Sequence, residues 1–220
     1  NSLLYMALGT ALALFVTTCC AYPLSRADFK GGKVMMALCV FTMYFSGGMI
    51  PTFLWMKDLG MIDSIWSLVL PGSLSVYNMI VMRTYFKNSI PGELREAAQL
   101  DGCNDYRFIW SIVLPLSGPI LAVIGLYYAV GLWNGYFNAL LYIRTREKLP
   151  LTMFLREILV LNQSSALDAG MDMEQMARVE DRAQLMKYSL IILGSLPVMV
   201  LYPLVQKYFV KGVMVGAVKG

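Results

Sequence analysis

Histidine is absent from this 220-residue chain, and charge is scarce, with Asp, Glu, Lys and Arg making up 15% of it. The first absence excludes histidine acid–base catalysis and histidine metal ligation. The second separates the chain from a soluble domain, in which roughly 25% of residues are charged. Four cysteines, Cys19, Cys20, Cys39 and Cys103, show no CxxC spacing, and the first three lie inside apolar runs. They read as small polarizable packing residues rather than as metal or redox groups. A GxxxxGK[ST] phosphate loop is missing too, so no ATP hydrolysis is expected from this chain. Neither a cofactor nor a metal nor a nucleic-acid partner is expected. The sequence starts at Asn1 with no basic segment ahead of its first apolar run. A signal peptide is therefore not expected, and the chain is expected to lack its true N-terminus.

What the sequence has in abundance is apolar, with 58% hydrophobic residues. Five stretches approach the roughly 20 residues that cross a bilayer: Leu3–Tyr22, Val34–Phe53, Ile65–Met82, Ile112–Ile143 and Leu190–Val205. The third is interrupted by Pro71-Gly72, which predicts a break or re-entrant bend, and the fourth is longer than a crossing needs. None contains Asp, Glu, Lys or Arg. Proton pumps and ion-coupled transporters use buried ionisable relays, so the energy for any transport is expected to enter from elsewhere. No polar linker divides the chain. The expectation is an all-α polytopic membrane protein forming a single transmembrane domain over 1–220.

Five crossings put Pro23–Lys33, Arg83–Trp110 and the C-terminal tail on one side. Arg26, Lys30, Lys33, Arg83, Lys87, Arg95, Arg107, Lys207, Lys211 and Lys219 all fall there, whereas the short opposite connection Pro51–Ser64 has only Lys57. The bias of basic residues towards the cytoplasm makes 88–111 a cytoplasmic loop and 144–187 an extracytoplasmic one. Within the cytoplasmic loop, Pro91 suits the first turn of a helix, and Glu93 and Glu96 are favoured at its positive end. Leu94, Ala97, Ala98 and Leu100 follow helical spacing, and Gly102 can supply a left-handed stop. A second short helix is expected from about Asp105 to Trp110, and Pro115 marks entry into the next span. By itself this pattern also describes an interfacial helix lying on lipid headgroups. The small Ala97 and Ala98 beside a glycine turn add room for another protein's backbone.

The spacing Glu96-Ala97-Ala98, three residues, Gly102, nine residues, Ile112, one residue, Leu114-Pro115 resembles the EAA signature of permeases of binding-protein-dependent ATP-binding cassette importers. "NSLLYMALGTALALFVTTCCAYPLSRADFKGG", "GLWNGYFNALLYI" and the ending "YFVKGVMVGAVKG" are similar to the maltose-type carbohydrate group, in its oligosaccharide branch. The resemblance covers nearly the whole chain. It implies a permease fold with six spans at full length, the first of them missing before Asn1, in a bacterial cell membrane. It implies that Glu96, Ala97, Ala98, Gly102, Ile112, Leu114 and Pro115 belong to a coupling loop docked on an ATPase, with Glu96 holding the contact. The implied partners are two ATPase subunits, a second permease, an extracellular solute-binding protein and the lipid bilayer.

Sugars are held by aromatic faces flanked by amides. The fourth run offers Tyr127, Trp133, Asn134 and Asn138, with Asn134 and Asn138 four residues apart and so on one helical face. These four are candidate lining residues of a translocation path. Interfacial-belt and helix-packing roles explain the same residues, and in maltose-type importers the partner permease can hold the binding site. The outer segment "LTMFLREILVL" is apolar on one helical face, which suits contact with the solute-binding protein or packing on the permease itself.

Overall fold

The structure, a computed structural model, describes residues 1–165 and 173–217, and among these it is helical with no strand. The helices are α1 (Ser2–Ser25), α2 (Gly32–Tyr44), α3 (Met49–Asp58), α4 (Trp66–Val69), α5 (Val76–Ser89) and α6 (Gly92–Leu100). There follow α7 (Asp105–Phe108), a π turn (Ile109–Val113), α8 (Leu114–Leu116), α9 (Gly118–Asn134), α10 (Tyr136–Tyr142), α11 (Leu151–Ser165) and α12 (Met173–Ala217).

α1 is the hub. Its 24 residues span about 36 Å, enough for a hydrocarbon core of roughly 30 Å, and it packs against α9, α5 and α4. Small residues let the backbones close: a Cβ on Gly9 would stand 2.6 Å from Leu132 Cδ1, so only glycine fits without moving α9's side chain. The core between α1, α5 and α9 holds Ala13, Ala21, Tyr22, Met79, Met82, Phe86 and Ile124. A polar knot crosses it. Buried Thr17 on α1 and buried Tyr128 on α9 share a 2.7 Å hydrogen bond, and the Ser75 backbone N–H donates to the same Tyr128 oxygen at 3.0 Å.

The expected crossings are only partly continuous. α1 and the Gln184–Tyr208 part of α12 are each long and apolar enough to cross a membrane. The second expected span is split into α2 and α3, bent by 111°. Gly48 ends the break with φ +85 and ψ 179, a backbone region open essentially to glycine alone. The third breaks at Pro71-Gly72 as expected, with α4 ending at Val69 and α5 beginning at Val76, where the Ser75 hydroxyl accepts from the Asn78 N–H at 3.4 Å. The fourth is not one long helix: the chain turns by 82° between α8 and α9, then breaks again at Gly135. Pro115 removes a backbone donor and crowds the carbonyl four residues back. The widened π turn lies immediately before it.

Candidate functional site

The 88–111 loop is built almost entirely by local rules. Pro91 precedes α6 with φ -62, Glu93 lies in the first turn, and Ala98 is the one buried residue of the helix. The helix ends in a Schellman arrangement: Gly102 takes φ +73, its N–H donates to the Gln99 carbonyl at 3.0 Å, and the Cys103 N–H donates to Ala98 at 2.9 Å. Two carbonyls that the helix end leaves unpaired are thereby satisfied. The chain restarts at once, with the Asn104 side-chain oxygen capping α7 by accepting from the Arg107 N–H at 2.8 Å.

The seven residues of the EAA pattern divide between two faces. Ala98 and Ile112 turn inward, the first buried and the second packed against the core, whereas Glu96, Ala97, Gly102 and Pro115 are exposed and Leu114 is half-buried. Around the exposed set stand Leu100 and Tyr106, 89% and 79% exposed. This loop therefore presents two large apolar side chains beside a row of small ones. A cavity of about 420 Å³ opens between α6 and the ends of α1 and α5, with Tyr22, Lys87, Pro91 and Glu96 in its wall.

The ionic bracing of this loop was not legible in the sequence. Arg26, the C-cap of α1, reaches Asp28 at 2.7 Å and Asp105 at 2.9 Å; Arg95 on α6 reaches the same two carboxylates at 3.0 and 3.7 Å. The four form a closed ring of alternating charge. Hydrogen bonds from Arg26, then from Arg95, hold the Asp28 carboxyl well below the usual carboxylate range. A depressed carboxylate contributes stability above its unfolded pKa of about 3.9 and loses it only as pH falls towards the folded value. Asp28 therefore holds both arginines throughout the neutral range. Exposed pairs of this kind contribute only ~0–1 kcal/mol each. A further tie runs from the Arg83 Nε to the Leu24 carbonyl at 2.7 Å, so Arg83 holds the end of α1 in addition to any role in orientation.

Of the expected path residues, Trp133 and Asn138 share the wall of a small cavity of about 60 Å³ with Gly135, whereas Tyr127 and Asn134 do not line it. Trp133 is buried and donates from Nε1 to the Gly194 carbonyl of α12 at 2.8 Å, a packing contact between helices. Tyr127 is exposed. Asn134 ends α9 while Asn138 lies in α10, both exposed. The break at Gly135 removes the helical register that placed these amides on one face.

At the other end of α1, Asp63 ties the connection after α3 to the one after α10. It has φ 59, uncommon for a residue other than glycine, and accepts from the N–H of Arg144 and of Thr145, the Thr145 hydroxyl and the Lys148 amine. The Thr145 bonds, chiefly, hold its carboxyl well below the ordinary range. Tyr5 donates to the Lys148 carbonyl at 2.7 Å, joining α1 to the same cluster. The amphipathic segment expected in the outer loop is α11, which packs against α12 and α10; residues 166–172 of that loop lie outside the described residues.

Residues 9–215 match the family described as the inner membrane component of binding-protein-dependent transport systems. The chain belongs to this family. It is 41% identical over 219 residues to Protein LplC of Bacillus subtilis (strain 168), covering 100% of this chain and 72% of that protein. It is 44% identical over 213 residues to the polygalacturonan/rhamnogalacturonan transport system permease protein YtcP of the same organism, covering 97% and 73%. A crystal structure of a bacterial ABC transporter involved in the import of the acidic polysaccharide alginate contains a chain of the same fold. The TM-score is 0.80 at 34% identity, over 95% of this chain and 73% of that one. The family member described above is thus a membrane-embedded permease subunit of an ATP-binding cassette importer, all-α as its sequence indicates.

Proposed function

We propose that this permease forms, with a second permease, the path by which a sugar or oligosaccharide delivered by an extracellular solute-binding protein enters a bacterial cell. Two ATPase subunits drive it, and α6 and α7 are the elements on which one of them docks. The observation that carries this reading is the fold shared over 95% of the chain with an importer of a polysaccharide. YtcP, a polygalacturonan/rhamnogalacturonan transport permease by its name, points to the same substrate class. The exposed Glu96, Ala97, Leu100 and Tyr106 on a loop rigidly ended by Gly102 suit a protein contact. Tyr127, Asn134 and Asn138 remain the residues to line the path, from two helices that meet at Gly135.

Reconstitution with the partner subunits tests the reading. Uptake of labelled oligosaccharide, neutral or uronate-bearing, should require ATP and a hydrolysis-competent ATPase and should persist when ion gradients are collapsed. Uptake that follows an ion gradient without ATP would make the protein a secondary transporter instead.

Orientation has its own test. In a variant with Cys19, Cys20 and Cys39 replaced by alanine, Cys103 in sealed right-side-out vesicles should resist a membrane-impermeant thiol reagent and react after permeabilisation. Reaction from outside would put α6 on the wrong side for an ATPase.

A further inference from the structure

α6 is a short helix, nine residues with only Ala98 buried. If it receives the ATPase's motion, as proposed above, something must carry that motion to the helices around the path. Apolar packing through Ala98 and Leu94 seats α6 on the core, but such contact is non-directional. The covalent link through Ile90 and Pro91 leads to α5, while nothing in the chain joins α6 directly to α1.

The ionic ring fills this gap. Arg95 belongs to α6 and Asp105 to α7, Arg26 is the C-cap of α1, and Asp28 lies in the connection that follows it. Each arginine bridges both acids, and each acid bridges both arginines. Arg26 grips Asp28 in a two-pronged fashion, Nε to one carboxylate oxygen at 3.0 Å and Nη2 to the other at 2.7 Å, a geometry lysine cannot reproduce. The guanidinium side chains are 19% and 25% exposed, the carboxylates about half. Net charge within the ring is zero, so it closes without drawing in an outside ion. We propose that Arg26, Asp28, Arg95 and Asp105 are positioning residues that lock α6 and α7 to the end of α1. A push on α6 then moves α1, and with it α5 and α9, instead of sliding α6 alone. The proposal rests on α6 being the ATPase contact.

The test uses the reconstituted importer complex and measures oligosaccharide taken up per ATP hydrolysed. Arg95→Gln and Asp28→Asn open the ring; Arg95→Lys keeps the charge without the fork. The opened variants should retain their ATPase and go on hydrolysing ATP. Transport per ATP should fall about three- to tenfold, the scale of losing two partly exposed ion pairs. Arg95→Lys should be intermediate, and Arg26→Gln added to Arg95→Gln should cost little more, because the ring acts as one unit. Glu96→Lys separates this proposal from the docking reading, since it touches the exposed face and leaves the ring closed. Loss of ATPase binding in Glu96→Lys, with parent transport per ATP in the opened variants, overturns the ring and keeps the docking. Parent behaviour in Glu96→Lys overturns the docking and the ring with it. Failure of both Asp28→Asn and Arg95→Lys to assemble would assign the ring to folding and overturn the coupling role.

Discussion

Gly102→Asp is expected to leave the permease in the membrane and to stop transport. Gly102 has φ +73, and a Cβ there would meet no atom within 4 Å, so the obstacle is the backbone rather than a clash. An L-residue in this conformation costs about 1–2 kcal/mol, which shifts a conformational ratio by about 5–30-fold. The helix end answers that strain by giving up the Gly102 and Cys103 hydrogen bonds to Gln99 and Ala98. That loosens α6 on the side where Leu100 and Tyr106 stand out, and aspartate adds a negative charge to the same face. Gly102→Ala brings the strain without the charge and should retain part of the activity. Glu96→Lys should match the aspartate variant for another reason. Glu96 is exposed, and surface changes of this kind alter stability by only about 0.5 kcal/mol, so a deep loss of uptake and of co-purifying ATPase would locate a partner contact. Normal transport by Gly102→Asp in a complex that still binds its ATPase would remove this loop from the coupling path.

Tyr128→Phe should give the largest loss of stability among conservative changes in the core. Its hydroxyl is shared by Thr17 on α1 and by the Ser75 N–H at the start of α5. Removing it strands two polar groups where α1, α5 and α9 meet, at about 1–3 kcal/mol for each group left unsatisfied. The detergent-solubilised variant should unfold at lower temperature than the parent. Adding Thr17→Val should recover part of the loss, because a site emptied of both partners is cheaper than one left half-paired. An unchanged unfolding temperature for Tyr128→Phe would mean that water or a backbone group takes over the bonds, and that the knot does not set the spacing of the three helices.

Much of this architecture follows from local chemistry and was legible in the sequence. The charge-free run of α1, the break at Pro71-Gly72, the start of α6 after Pro91 and its stop at Gly102 depend on residues within a turn or two of the event. So does the EAA spacing that identifies the loop. Such signals survive because backbone preferences and turn residues act over a few positions. Where several local preferences compete, the sequence was ambiguous. Val34–Phe53 and Ile112–Ile143 were each expected as a single span, yet Ser46-Gly47-Gly48 and Ser117-Gly118-Pro119 within them are hinges of 111° and 82°. Gly135 likewise split the helix that had placed Asn134 and Asn138 on one face.

The sequence by itself determined the class of protein, the positions of most helices and the turns of the 88–111 loop, since hydropathy and turn chemistry are written residue by residue. Only the tertiary structure decided who meets whom. Arg26 and Arg95 are 69 positions apart and met in the sequence as orienting charges, yet they share Asp28 and Asp105. Trp133 carried an aromatic face suited to a sugar and instead spends its N–H on Gly194. Tyr128 is the centre of a three-helix knot. Long-range pairs of this kind depend on how α1, α5 and α9 pack, and packing is a property of the folded chain that no window of sequence contains.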